Sequence, residues 1–542
     1  MSQTSIGRRA SGQRRYLSVA LVLSLGLPFS VSPAQAQDLT TAVDTFWSAE
    51  SPDEIDTATE KILDLDPDIE ALWLLVRAGA TYASDVSTGR QLFSRENADG
   101  VEYRYEVYVP DDYDPARRYP VRVFLHGGVS RPRRDDAPFW RNGEQYARDD
   151  SIVVFPESWG ETMWWQANQV ENLTGMLNDL KARYNVNENA VHLLGVSDGA
   201  TGAFYHAFKA ATPWASFLSF NGHPVVLANE STFADGQMYV TNLRNKPFFA
   251  INGGQDRLYP VASVVPFFQL FVNAGVYFEF TPKPEAGHNM QWWPEETSNV
   301  DDFIVARTRL PLPDRLSWET ESTERFNRAH WLVITELGRV EGETTFDDFN
   351  EITPPAPSIP IGFNTLGELA DGGIQLVDII EGSMADAAGL EADDVLVEMN
   401  GIAVATVDDL REAVQTPSDG PGLPVRVERA GESMAFVLMP PDNVQAPPGR
   451  QAFPRSDPSG RVQLLRDDNQ IGVVTRGVRR FRLLLSPEQF DFTRPVTVTT
   501  NGAVTFDGMV EPSPETLLRW AGRDRDRTML FGAELDIEVV AP

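Results

Sequence analysis

Nine residues, Val191-His192-Leu193-Leu194-Gly195-Val196-Ser197-Asp198-Gly199, constrain this chain more than any other stretch. An apolar run ends at a glycine, a serine stands between two glycines, and a helical pattern covering 200–211 follows directly. Glycines on either side let a backbone leave a strand, turn sharply and enter a helix within a few residues. The serine hydroxyl then projects above the sheet, and the helix start adds positive potential where an oxyanion would form.

The surrounding sequence supplies a sheet for such a turn. Residues 103–109 alternate with period two, and 121–125, 151–155, 191–194, 247–251 and 277–280 are short apolar runs. Residues 169–184, 200–211 and 261–274 read as helices between them. Strands alternating with helices predict an α/β domain over 98–311, a doubly wound, mostly parallel sheet covered on both faces. Residues 38–97 read as a small helical preface to that domain.

A serine hydroxyl needs a base. On a turn of this kind the acid and then the histidine follow the serine along the chain. Of the six histidines, His126 and His192 precede Ser197, and His206 lies in the helix after it. His223 leaves too little chain for a strand and an acid, and His330 lies beyond the sheet. His288 remains, in Ala286-Gly287-His288 after the last sheet strand. Asp256 ends an apolar strand and a glycine-rich turn, Phe248 through Gly253-Gly254-Gln255, and would orient the His288 tautomer. The amide of Asp198 and those of Gly127 and Gly128, after the 121–125 strand, are the candidate oxyanion donors. Trp164, Trp165, Tyr259 and Trp292 are candidates for an apolar substrate pocket. Arg131, Arg133 and Arg134 follow the glycine loop as candidates for a substrate carboxylate. The chemistry calls for no metal and no cofactor.

Leu125-His126-Gly127-Gly128, Gly195-Val196-Ser197-Asp198-Gly199, Gly254-Gln255-Asp256 and Ala286-Gly287-His288 occur in that order. With them, residues 98–311 resemble the esterase branch of the α/β-hydrolases that includes polyhydroxybutyrate depolymerases, feruloyl esterases and S-formylglutathione hydrolase. The resemblance implies a serine esterase acting on a small or polymeric ester.

A second unit follows. Ile361-Gly362-Phe363, Ile379-Ile380-Glu381-Gly382-Ser383-Met384-Ala385, Ala388-Gly389-Leu390, Asp393-Asp394-Val395-Leu396, Asn400-Gly401 and Asp408-Asp409-Leu410 resemble a bacterial PDZ domain, placed at 356–441. The resemblance implies that the amides of Ile361, Gly362 and Phe363 cradle the C-terminal carboxylate of a partner peptide. Met384 stands where that family has proline, and Asp393 where it has glycine. Pro-rich stretches at 353–360 and 440–460 flank the unit. Residues 312–350 and 460–542 are similar to two parts of one β-rich module found at the end of some bacterial esterases, with the PDZ unit inserted between them. Asn501-Gly502 there is a hairpin turn signal.

Charge and targeting bound the partners. Acids outnumber bases 78 to 46, for a net charge of −32, which repels nucleic acid and anionic membrane surfaces. The absence of cysteine excludes disulfides and a cysteine nucleophile. Arg8 to Arg15 form a basic start, 16–27 are apolar but short for a bilayer span, and Ala34-Gln35-Ala36 fits a signal-peptide cleavage site. A signal peptide over 1–36 predicts a periplasmic or secreted protein without a membrane span after processing. The sequence thus predicts an exported serine hydrolase, a carboxylesterase forming an acyl-enzyme on Ser197, with a peptide-binding module. A serine peptidase of the same fold and a non-catalytic periplasmic PDZ scaffold remain as alternatives.

Overall fold

A computed structural model describes residues 33–133, 140, 143–353, 361–369, 372–416, 422–439 and 448–541. The basic and apolar stretches of the expected signal peptide, Arg134, residues 354–360 of the first Pro-rich segment and 440–447 of the second lie outside the described residues.

Three helices come first, α1 (Pro33–Ser48), α2 (Pro52–Asp64) and α3 (Ile69–Ala78). Ser51 and Asp68 cap α2 and α3 by accepting from the Glu54 and Ala71 amides. The helical expectation for 38–97 ends early, because Gly89–Glu96 is a strand, β1, paired antiparallel with β2 (Glu102–Val109). Its 65%-exposed Leu92 interrupts the apolar alternation that would reveal a strand.

The sheet continues through β3 (Tyr119–Leu125), β4 (Ile152–Pro156), α4 (Ala167–Arg183), β5 (Val186–Val196) and α5 (Asp198–Lys209). It closes with β6 (Ser216–Phe220), β7 (Phe248–Gly253), α6 (Val261–Asn273), β8 (Phe278–Lys283) and α7 (Trp293–Ala306). The strand order is β1-β2-β4-β3-β5-β6-β7-β8, parallel from β4 onward and antiparallel at β1 and β2. This is the α/β-hydrolase sheet. The strand β6 escaped the sequence reading because its five residues, Ser-Phe-Leu-Ser-Phe, are all buried and carry no period.

The β-rich module begins with β9 (Arg315–Thr320), β10 (Arg328–Ala329), β11 (Leu332–Leu337) and β12 (Glu351–Ile352). The chain then builds the PDZ unit from β13 (Phe363–Glu368), β14 (Ile374–Ile379), α8 (Met384–Ala388), β15 (Val395–Met399), β16 (Ile402–Ala403), α9 (Val407–Gln415), β17 (Leu423–Arg429) and β18 (Glu432–Leu438). The module resumes with β19 (Arg450–Gln451), β20 (Gly460–Asp467), β21 (Gln470–Arg476), β22 (Val478–Leu485), β23 (Val496–Thr500), β24 (Ala503–Gly508), α10 (Pro514–Asp524) and β25 (Ala533–Glu538). Strand β9 pairs with β20 and β11 with β22, so two distant segments make one module. At the neck of the insertion β12 pairs with β19, and Asn350 exchanges side-chain hydrogen bonds with the Phe453 backbone. Asn501 and Gly502, both at positive φ, turn β23 into β24.

The module and the hydrolase sheet share one apolar core. Buried ion pairs cross between them, Arg309 to Asp526 and Arg527 to Glu188, each at 2.5 Å. Desolvation offsets most of the attraction in such buried pairs, whereas removing one partner leaves an uncompensated buried charge. The N-terminal helices serve this junction rather than the hydrolase sheet alone. Phe46, Trp47, Ile62, Leu72 and Val76 pack with Leu517, Leu518 and Ala521 of α10.

The PDZ unit has its own core, around Leu376, Leu396, Met399 and Val427. Both departures from the family pattern are accommodated there. Met384 occupies the first turn of α8 behind the Ser383 cap, where proline is tolerated but not required. Asp393 takes φ +71°, the left-handed conformation that glycine favours, and its carboxylate accepts from Gln375 at 3.1 Å.

Candidate active site

Ser197 has φ 57° and ψ −117°, a backbone region that ordinary residues avoid. The sheet and helix hold it there. The Ser197 amide donates to the Phe220 carbonyl at 2.9 Å, and the Ser197 carbonyl accepts from Ala200 and Thr201 at the start of α5. The two motif glycines are required by crowding. A Cβ on Gly195 would lie 2.0 Å from the Gly199 oxygen, and one on Gly199 would lie 1.9 Å from the Leu125 oxygen. Strand β5 and helix α5 therefore cross closer than any side chain permits.

The turn brings Ser197 to His288, 91 positions on. His288 Nε2 lies 2.9 Å from Ser197 Oγ, and His288 Nδ1 lies 2.7 Å from Asp256 Oδ2. The other Asp256 oxygen accepts from the Leu258 and Tyr259 amides at 2.8 and 2.9 Å. Asp256 is thereby immobilised and does not cap α6, whose N-cap is Pro260. With the Asp256 carboxylate at Nδ1, that nitrogen holds the ring proton and Nε2 faces the hydroxyl as an acceptor.

Gly127 lies against the serine. A Cβ there would come 2.8 Å from Ser197 Cβ and 3.3 Å from Ser197 Oγ. The loop is pinned on both sides. Trp164 Nε1 donates to the His126 carbonyl at 2.8 Å, and the Ser158 amide donates to His126 Nε2 at 3.1 Å. His126 Nδ1 then carries the proton toward the Gly127 carbonyl, 2.9 Å away. This accounts for His126 as a structural group, kept below the ordinary histidine pKa by burial.

The four candidate pocket residues separate. Tyr259 is at the site: its ring centroid is 5.7 Å from that of His288. Burial pushes its hydroxyl up to about 12, and the Asp198 and Asp256 carboxylates add to this. Trp164, Trp165 and Trp292 are 0%, 5% and 5% exposed, which corrects their assignment to a pocket wall. Trp164 props the glycine loop, Trp165 donates to the Thr232 carbonyl, and Trp292 packs on Phe220 and Trp293. A tryptophan run beside a reactive loop looks the same in sequence whether it faces the substrate or the core. Of the arginines, Arg133 is taken by Glu157 at 2.5 Å and lies over the Trp159 ring, whereas Arg131 reaches to 3.7 Å from where a Gly128 Cβ would stand.

Asn221 went unseen in the sequence. It is buried, has φ 51°, accepts from the Gly253 amide and donates to the Asn289 carbonyl at 2.8 Å. One side chain thus joins the acid loop to the histidine loop. Its only local signal is an Asn-Gly pair after an apolar run.

In the PDZ unit, the Ile361 carbonyl accepts from Ala385 at 2.8 Å and the Gly362 carbonyl accepts from Ile380 at 2.9 Å. In a trans peptide the following N–H points the opposite way, so the Gly362 and Phe363 amides face outward from these bonds. Strand β13, which follows, is the edge of its sheet.

Residues 376–421 match the PDZ domain family. A candidate serine protease, HhoB of Synechocystis sp., is 30% identical over 89 residues, 16% of this chain and 21% of that protein. The chain therefore matches about one fifth of that relative's length. Among solved structures, Thermogutta terrifontis esterase 2, phosphorylated by paraoxon, is 17% identical with a TM-score of 0.34, covering 40% of this chain and 94% of its own. Pyrococcus horikoshii acylaminoacyl peptidase is 14% identical with a TM-score of 0.33, covering 41% of this chain and 42% of its own. From its sheet order and its family match, the chain joins an α/β-hydrolase fold to a PDZ domain carried within a C-terminal β-rich module.

Proposed function

We propose that the chain is an exported serine hydrolase that cleaves carboxylic esters through an acyl-enzyme on Ser197. The observation that carries this reading is the Ser197–His288–Asp256 array, at 2.9 and 2.7 Å, with Gly127 against the hydroxyl. His288 takes the hydroxyl proton as Ser197 Oγ attacks the carbonyl carbon. Asp256 stabilises the imidazolium that results. The oxyanion is met by the Asp198 amide and by amides of the 127–128 loop. Collapse of the tetrahedral adduct expels the alcohol, which receives the proton from His288. Water, deprotonated by His288, then releases the acid and restores Ser197.

The same chemistry cleaves amides, and the PDZ domain supports a second reading as a peptidase, since such a module can deliver peptides by strand addition along β13. Export rests on the basic and apolar N-terminal pattern. Mature protein assayed on a panel of p-nitrophenyl esters and peptide p-nitroanilides decides between the readings. Ester turnover with amides slower by at least 100-fold supports the esterase. Comparable amide turnover supports the peptidase, and no turnover of either, with no labelling by a fluorophosphonate, rejects both.

A further inference from the structure

The oxyanion donors of the proposed reaction come from two separate elements. The Asp198 amide is part of the turn into α5, while the 127–128 amides belong to a loop after β3. A hole made from two elements works only when the gap between them is fixed, and a glycine pair makes the loop intrinsically loose. His126 and Trp164 anchor the loop's entry. At its exit stands one bond that the proposed reaction does not use. The Val129 amide donates to Asp198 Oδ2 at 2.9 Å.

We propose that the Asp198 side chain is a positioning residue that sets the width of the oxyanion hole. Its backbone supplies one donor, and its carboxylate ties down the loop that supplies the other. Val129 is buried and sits in the hydrolase core, so the bond holds the loop from its packed end. The charge itself is a liability. A carboxylate on the residue whose amide meets the oxyanion opposes the developing charge, and the Asp198 charge also helps raise the Tyr259 hydroxyl. What the site uses is therefore the acceptor oxygen and not the negative charge. An amide oxygen at position 198 serves equally well.

This inference rests on Ser197 being the nucleophile, and its test separates the two. Wild type, Asp198→Asn and Asp198→Ala are compared in ester turnover, in affinity for a trifluoromethyl ketone and in the rate of fluorophosphonate labelling. Asp198→Asn keeps the acceptor and is expected within about three-fold of wild type or faster. Asp198→Ala is expected to lose about 10–100-fold in kcat with KM little changed. Its ketone affinity and labelling rate should fall in parallel, at an assay temperature where melting curves show both variants fully folded, since the unpaired Val129 amide itself lowers stability. Asp198→Asn as impaired as Asp198→Ala would show that the charge acts, and would overturn the proposal. So would an Ala variant that labels at the wild-type rate. A wild-type chain that neither turns over nor labels would instead sink the assignment of Ser197, and this proposal with it.

Discussion

The hydrolase domain and the PDZ unit present reactive backbone and side chains in opposite ways. In the hydrolase domain Ser197 meets a histidine 91 positions away, which meets an acid 32 positions away, each on the end of a different strand or loop. In the PDZ unit the candidate cradle is three consecutive residues at the start of an edge strand. The first site exists only when a whole sheet is in register. The second is held by Ile380 and Ala385, 18 and 24 positions on from Gly362 and Ile361, within one small unit. The non-local site is therefore the fragile one, and the local site should tolerate changes that destroy the other.

The sharpest break is expected at Ser197. Ser197→Ala is expected to lower p-nitrophenyl ester turnover by about 10⁴–10⁶-fold with the far-UV spectrum and melting temperature preserved. Binding of a hydrophobic C-terminal peptide should be unchanged, as measured by fluorescence anisotropy. Undiminished turnover by the pure variant would remove Ser197 from the mechanism.

Acid should separate the two regions next. All six histidines lie outside the PDZ unit. Burial holds His192 and His206 down to about 3 and His223 to about 4, and holds His126 and His330 below the ordinary range. In the unfolded chain they protonate near pH 6.5. Below that pH the unfolded state binds protons that the folded state does not, so stability falls as pH falls. The slope is about 1.4 kcal/mol per pH unit for each such histidine, until the folded values are reached. In the PDZ unit, burial raises the Asp394 carboxyl, but the Arg429 guanidinium and the Glu391 amide more than offset this and hold it below the usual range. That contribution is present above the ordinary Asp value of about 3.9 and is lost only below it. Hydrogen exchange between pH 7 and 4.5 should show the hydrolase sheet deprotecting first. Simultaneous loss in both regions would break the comparison.

Two glycine substitutions test the same contrast at the level of packing. Gly199→Ala drives a Cβ into the Leu125 carbonyl, and should cost more than about 3 kcal/mol or prevent folding. Gly389 has φ +84° but nothing within 4 Å of its Cβ position, so Gly389→Ala should cost only about 1–2 kcal/mol. Urea titration of both variants measures the difference, and equal costs would contradict it.

The smallest effect on catalysis is expected from removing the PDZ unit altogether. Replacing 361–440 with a flexible linker should leave small-ester turnover within a few-fold, because the β12–β19 ladder and the Asn350–Phe453 bonds close the neck without it. Peptide binding should disappear. A soluble, folded deletion variant without ester activity would place the unit at the active-site rim.

Reading the sequence worked where local pattern and chemistry coincide. The serine turn, the candidate acid and histidine and the hairpin at Asn501-Gly502 follow from spacing and residue type, and the PDZ unit from its resemblance to a known family. Reading failed where burial is uniform or partners are distant. The strand β6 carries no alternation, β1 hides behind exposed residues, and the tryptophans around the site point into the core.

By itself the sequence determined which residues could form a nucleophile, base and acid, because the chemistry permits few residue types and the chain order restricts them further. Only the tertiary structure decided how those groups are held. Asn221 joins the loop of Asp256 to that of His288, Asp198 ties the glycine loop to the serine turn, and α10 receives helices from the other end of the chain. Each of these depends on a hydrogen bond or a packed surface between segments far apart in sequence. No local pattern encodes such a contact, because its partner is chosen by how the sheet folds and not by its neighbours along the chain.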